Sequence, residues 1–467
     1  MSSLTSLSAV ADAIRERKLS PVEATRECLA RIERFDARLR AFITVDAPGA
    51  LAAARRLEAE AGRRSRGPLH GVPLAFKDLC FIRGLPTSCG TGNFEYFRAE
   101  RDCTAVARLV AAGAITLGKL NMTELAMGAF GDNPHHGHAR NPWNPDRCTG
   151  GSSSGSGVAV AAGMALGAIG TDTGGSIRLP AGCCGITGLK PTYGRVSRAG
   201  GMALSWSNDH LGPMARTVRD CALMLQAMAG ADPLDATASP RAVPDYLAAL
   251  EEPIAGVRVG VPENFFFQGI DAEIESAVRA AAATLGSLGA QVREVRLPDP
   301  QVVNDVTQII SRSESAAIHA GPMRARPADL APFARARIEL GLRVPAFDYL
   351  QALRLRARLA RTFSREVWGE VDVLAVPVIP EPAPPLAAAL EGSLEEITAR
   401  HGRFSRLTRP FNGLGLPALA LPCGFSRAGL PLAFQLVGRP FDEAGVLRLG
   451  HAYQRATDWH TRTPDLA

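Results

Sequence analysis

Apolar and polar positions change rhythm along this 467-residue chain. Residues 1–66 read as an N-terminal helical segment: Ser20 before Pro21, with Glu23 three residues on, is a capping box opening a helix through "VEATRECLARIERF". A second helix runs through "ALAAARRLEAEAGRR". From Gly67 to about Gly230, short apolar strands alternate with Ala-rich helices and glycine turns; "TAVARLVAAGAITLGKLN" reads as helix, glycine stop, then strand. After the Pro-bearing connection "ADPLDATASPRAVPD", the segments "GVRVGV", "AEIESAVRAAAATLGSLG" and "AQVREVRL" form a βαβ unit. "VDVLAVPV", "PALALPCG" and "PLAFQLVG" supply further strands, and roughly Val302 to Glu370 is helical and arginine-rich. The pattern predicts an α/β fold without internal repeats.

Composition narrows the class. At 46% hydrophobic residues the chain can bury one large core or two ordinary ones. Its longest near-apolar run, "VAVAAGMALGAIG", is too short to span a bilayer, and no leader pattern is evident, so a cytoplasmic protein without membrane contact is expected. Nine scattered cysteines without a CxxC pair read as reduced thiols. A net charge of +6 without a basic block implies no direct nucleic-acid partner. Among 52 basic residues only four are lysines, Lys18, Lys77, Lys119 and Lys190. Only lysine can lose its proton in a protein site, so a chain that otherwise writes arginine draws attention to these positions.

Candidate chemistry concentrates around two serine-bearing loops. "TGGSSSGSG", Thr149 to Gly157, leads into an Ala/Gly helix at Val158, where backbone N–H groups could hold an anion, but the loop lacks the Gly-Lys-Ser/Thr ending of a P-loop. "GSSSG", centred on Ser153, is formally a nucleophile elbow, yet "NPWNPDRCTG" before it is no strand, and His210, His401 and His451 have no distinguishing context. His135, His136 and His138 in "NPHHGHAR" lack a carboxylate or cysteine at metal-ligand spacing and read as a polar loop. The alternative is a serine–serine–lysine arrangement using Lys77, which follows apolar Leu74, Ala75 and Phe76. A lysine with a pKa of about 10.4 is neutral near pH 7 only about once in 2,500 molecules. Burial can remove about 3 to 5 units, provided the site is dry and the adjacent Asp78 points away.

"GVPLAFKD", "GGSSSGSG" and "GTDTGGSIRLPAGCCGITGLKPTYGRVS", in that order, resemble the amidase signature family of serine hydrolases, with likeness over nearly the whole chain. The resemblance implies one large mixed, twisted β-sheet covered by helices on both sides, residues 67–467, with a substrate-pocket region at about 302–370. It places the catalytic lysine on Lys77, a bridging serine after a cis peptide on Ser152, and the nucleophile on Ser176. Lys77 would draw a proton through Ser152 while Ser176 attacks an amide carbonyl, and the backbone of Thr173, Gly174, Gly175 and Ser176 would form the oxyanion hole. Ser153 and Asp172 are candidates to support the loops through hydrogen bonds. Ser154 departs from the glycine many members carry there. No cofactor and no metal is implied, and a homodimer is the default assembly.

Two functions fit this resemblance. One is a free-standing amidase cleaving the C–N bond of a carboxamide or ureido-type small-molecule amide to acid plus ammonia or amine. The other is the glutaminase A subunit of a tRNA-dependent amidotransferase. Aligned on those subunits, Arg358 takes the place of the arginine for the glutamine carboxylate, and Ser405 replaces the aspartate for its ammonium. A missing carboxylate disfavours glutamine, so the free-standing hydrolase is the preferred expectation.

Overall fold

A computed structural model describes residues 6–60 and 67–466. Eleven strands form one mixed sheet: β1 (Phe42–Val45), β2 (Pro73–Lys77), β3 (Ile115–Leu120), β4 (Gly167–Asp172), β5 (Thr187–Lys190), β6 (His210–Ala215), β7 (Arg258–Pro262), β8 (Gln291–Val295), β9 (Val373–Pro377), β10 (Ala418–Phe425) and β11 (Pro431–Gly438). Their order across the sheet is β1-β3-β2-β4-β6-β5-β10-β11-β9-β7-β8. Every residue of β2, β4, β5, β6, β9 and β11 is buried, as expected for central strands covered by helices on both faces. That is why "PLAF", "VLAVP" and "PLAFQLVG" read as near-continuous apolar runs and not as alternating ones.

The Ser20 cap is present in both directions: Glu23 N–H donates to Ser20 Oγ at 3.0 Å and Ser20 N–H to the Glu23 carboxylate at 2.8 Å. The segment read as helical is not wholly so. Between helices Pro21–Leu39 and Ala47–Glu60, "FITV" forms β1, pairing antiparallel with β3 at the sheet edge. Four residues of β-branched and aromatic character are too few to announce a strand by alternation. The end of the second predicted helix, residues 61–64, lies outside the described residues. The region after Val302 folds as three helices, Pro300–Ala325, Pro332–Leu342 and Ala346–Val367.

Strand polarity positions the site. β2 is parallel to both β3 and β4, so the carboxyl ends of these strands open on one side of the sheet, the usual place for ligands in α/β proteins. Lys77 ends β2 and Asp172 ends β4. The apolar run from Val158 is not one helix: the helix starts at Ser154 and stops at Ala161, and the rest turns into β4. Among the described residues no helix is long and apolar enough to cross a membrane.

Candidate active site

At the end of β2 the Lys77 side chain is fully buried. Its Nζ lies 2.7 Å from Ser152 Oγ, 3.0 Å from Ser153 Oγ and 2.8 Å from Thr171 Oγ1. No carboxylate is among these partners. Asp78 turns the other way, 3.1 Å from Lys119 Nζ, and accepts from Ser88 Oγ at 2.6 Å. Lys119 therefore neutralises the one acid next to Lys77 in sequence. Burial pushes the Lys77 amine down to about 7, against the pull of more distant acids including Asp172 and Asp209.

One hydroxyl proton around the amine is fixed by its partners. Ser153 Oγ donates to Thr171 O at 3.2 Å, so toward Lys77 it can only accept. A neutral amine then has one N–H and one lone pair left for Ser152 and Thr171. Ser152 Oγ and Thr171 Oγ1 each make no other hydrogen bond among the described residues, so either hydroxyl proton is free to face the lone pair while the other oxygen accepts the remaining N–H. The Gly151–Ser152 peptide is cis. Ser153 N–H donates to Ser176 O at 3.3 Å, tying the two serine loops together.

Asp172 shapes the second loop. It accepts from Gly175 N–H at 2.7 Å and Ile177 N–H at 3.1 Å, and both of its oxygens take bonds from Arg178 at 3.0 Å. Arg178 is itself fully buried, its remaining donors spent on Thr408 O, Gln435 Oε1 and Asn412 Oδ1. Burial alone would raise the Asp172 carboxyl, but the Arg178 charge holds it well below the carboxylate range. Gly175 has φ of +136°, and a Cβ there would meet Thr408 Oγ1 at 2.2 Å. This corrects one expectation: the Gly175 N–H is committed to Asp172 and is not a free oxyanion donor. The N–H groups of Thr173, Gly174 and Ser176 make no hydrogen bond among the described residues.

Ser176 is 8% exposed and lines a cavity of about 90 Å³. Thr173, Gly174, Ser405 and two arginines also line this cavity. Arg409 donates to Asn304 Oδ1 at 2.7 Å and to Ser405 Oγ. Arg337 lies over the Phe333 ring at 5.7 Å and has no hydrogen-bond or ion-pair partner among the described residues. Burial, then their neighbouring arginines, pushes Arg409 down to about 9 and Arg337 down to about 10. No aspartate or glutamate lines the cavity. Arg358, expected at the carboxylate position, instead lies exposed on the helix Ala346–Val367 and lines a separate groove with Val306 and Leu355.

The histidines go elsewhere. His401 lines the Ser176 cavity, but its Nδ1 accepts from Ala129 N–H at 2.8 Å, and burial drives its pKa to about 3. The His210 Nδ1 lies 2.7 Å from Asn208 O. His451 faces Glu251 at 3.7 Å. Ser153 has no histidine partner among the described residues, which removes the elbow arrangement. His135 contacts Glu124 at 2.9 Å, His136 lies 2.9 Å from Thr91 O, and His138 Nδ1 accepts from Asn133 N–H at 2.9 Å, three separate partners.

The family model described as Amidase matches residues 23–447. The chain belongs to the amidase family. Among its amidase relatives, the A subunit of Glutamyl-tRNA(Gln) amidotransferase from Roseiflexus sp. (strain RS-1) is 46% identical over 98% of this chain and 98% of its own length. The crystal structure of the A subunit of Glutamyl-tRNA(Gln) amidotransferase from Thermotoga maritima superimposes with a TM-score of 0.81 at 31% identity, covering 97% of each chain. A chain of a vestigial protein complex, reported as revealing the evolutionary origins of an s-triazine catabolic enzyme, gives a TM-score of 0.89 at 34% identity over 97% of this chain and 98% of that one.

Proposed function

We propose that this amidase releases ammonia from a small carboxamide whose acyl group carries a carboxylate, in the manner of the glutaminase component of an amidotransferase. The observation that carries the reading is the shared cavity of Ser176 with Arg337 and Arg409, into which no carboxylate projects. Neutral Lys77 takes a proton by way of Ser152 as Ser176 Oγ attacks the amide carbonyl. The N–H groups of Thr173, Gly174 and Ser176 face the developing oxyanion; one such donor is worth about 3 to 4 kcal/mol of barrier. The proton returns through Ser152 to the leaving nitrogen, ammonia departs, and water releases the acid. Arg337, and not Arg358, holds the substrate carboxylate.

End-to-end likeness to the glutaminase components favours that assembly over a free-standing enzyme, reversing the preference drawn from Ser405 alone. Ser405 does favour the second reading, a free-standing amidase for anionic amides that carry no amino group. Its hydroxyl accepts from Arg409 and offers no charge to an ammonium. Ammonia release from glutamine, succinamate and malonamate, measured with the chain alone and with amidotransferase partner chains, separates the two. Glutaminase activity that appears with the partners supports the amidotransferase component. Cleavage of the dicarboxylic monoamides with glutamine ignored in both settings transfers the proposal to the free-standing enzyme, and no ammonia from any of them overturns both.

A further inference from the structure

A second cavity, of about 280 Å³, meets the arginine-lined one along Ala126, Thr173 and Leu204. Its inner wall includes Thr171, the hydroxyl bonded to Lys77. At its outer end stand Trp206 and Leu234, 51% and 56% exposed. Two large apolar side chains standing together at the rim of a concavity supply the apolar wall that a small-molecule site uses.

The polar groups of this cavity are already engaged. Asp209 accepts from Thr173 Oγ1 at 2.6 Å, Leu204 N–H at 2.8 Å and Ser205 N–H at 2.9 Å. Asp235 accepts from Arg198 N–H at 2.8 Å and lies 3.6 Å from Arg198 Nε, while the Arg198 guanidinium donates to Trp206 O and Thr237 Oγ1. Asp235 is paired with Arg198 and Asp209 is occupied by three hydrogen bonds, whereas Met202, Leu204, Leu211 and Leu234 line the space with apolar surface. The loop carrying Trp206 is also held in place: Glu314, buried on the helix Pro300–Ala325, accepts from Ser207 N–H at 3.0 Å and from the Ser205 and Ser207 hydroxyls. Tyr193 Oη adds a bond to Trp206 O at 2.6 Å. A ligand therefore finds a preformed surface and pays little to order it.

Direction follows from the other cavity. With the acyl carboxylate on Arg337 and the carbonyl carbon at Ser176, the scissile nitrogen leaves on the side where Lys77, Ser152 and Thr171 deliver the proton. We infer that the Trp206 cavity is a leaving-group subsite for an apolar, single-ring substituent on that nitrogen, so that the enzyme also hydrolyses secondary amides. The step balances: the C–N bond breaks as the Ser176 ester forms, the nitrogen takes the relayed proton and departs as a primary amine, and water then cleaves the ester to the acid. This rests on the acyl-side reading given under Proposed function.

The test compares succinamate with N-benzylsuccinamate, which share an acyl group. N-benzylsuccinamate should have a kcat/KM within tenfold of the primary amide or above it, and Trp206→Ala should lower the ratio of the two by about tenfold, the scale set by one hydrophobic subsite. Leu234→Gln, at the exposed rim, should move the ratio the same way and guards against a folding artefact in the first variant. Cleavage of succinamate with N-benzylsuccinamate inert overturns the inference, as does an unchanged ratio in both variants. If neither amide is cleaved, the acyl-side reading fails, and calorimetric binding of benzyl alcohol to the Ser176→Ala protein still decides the subsite. Binding weakened by Leu234→Gln supports it, and no binding at millimolar concentration overturns it.

Discussion

Asp172 and Arg178 form a fully buried, two-pronged ion pair in which each carboxylate oxygen receives a guanidinium N–H at 3.0 Å. The pair fixes the loop between them, which carries Thr173 to Ser176, because Asp172 also holds Gly175 N–H. Removing one partner leaves the other as an uncompensated buried charge. Arg178→Met is expected to destabilise the fold by about 3 to 5 kcal/mol in denaturant titrations, and Arg178→Met with Asp172→Asn to recover part of it. Equal loss in the single and double variants would show that the pair is not what holds the loop.

Lys77→Arg should abolish turnover as thoroughly as Lys77→Ala, by at least about a thousandfold in kcat, since a guanidinium keeps its charge but has no removable proton. Single-turnover kinetics check this, and near-normal rates in the arginine variant would remove Lys77 as the base. A fluorophosphonate probe should label the native chain and fail on Ser176→Ala.

The pH profile carries a defined sign. The buried amine titrates at about 7, so kcat/KM should fall tenfold per unit below about pH 7 and level off above it. Stability moves as well. The unfolded lysine titrates at about 10.4, so between about 7 and 10.4 the unfolded chain holds a proton that the folded one lacks. Folding stability from this group therefore rises by about 1.4 kcal/mol per pH unit across that window and is flat below it. Lys77→Met should abolish that slope in chemical denaturation, and a slope that persists would assign it to other groups.

Much of this was legible in the residues, and the remainder failed for physical reasons. The strand ends and the Ser20 cap are local patterns, and the scarcity of lysine drew attention to Lys77 along with Lys18, Lys119 and Lys190. Arg178 carried a readable signal, a lone charge in the otherwise small and apolar "SIRLPAGCCG". Arg337 carried none, because in "ARARIELGLR" arginine recurs every few residues and only the packing of that helix against the helix Pro300–Ala325 selects one of them. That Arg358 lies exposed and away from the Ser176 cavity depends on how the helix Ala346–Val367 packs, which no spacing rule could catch. The engagement of Gly175 N–H by Asp172 depends on a backbone orientation, which side-chain identities do not encode.

Arg337 offers the sharpest separation of binding from stability. It makes no hydrogen bond or ion pair among the described residues, only a contact with the Phe333 ring, and sits beside Arg409, so the cavity holds two cations that repel each other. Arg337→Gln relieves that repulsion and gives up the attraction of the Asp132 carboxylate, two effects of opposite sign, so the unfolding midpoint should change little. The same variant should raise KM for an anionic amide such as succinamate by about tenfold to a hundredfold, the range of one charge-assisted hydrogen bond, while sparing neutral propionamide. Arg409→Gln differs, because it also gives up bonds to Asn304 and Ser405, and should lower stability and affinity together. Equal KM effects on charged and neutral amides in Arg337→Gln would mean that the cavity selects shape and not charge, and the anionic acyl group would have to be abandoned.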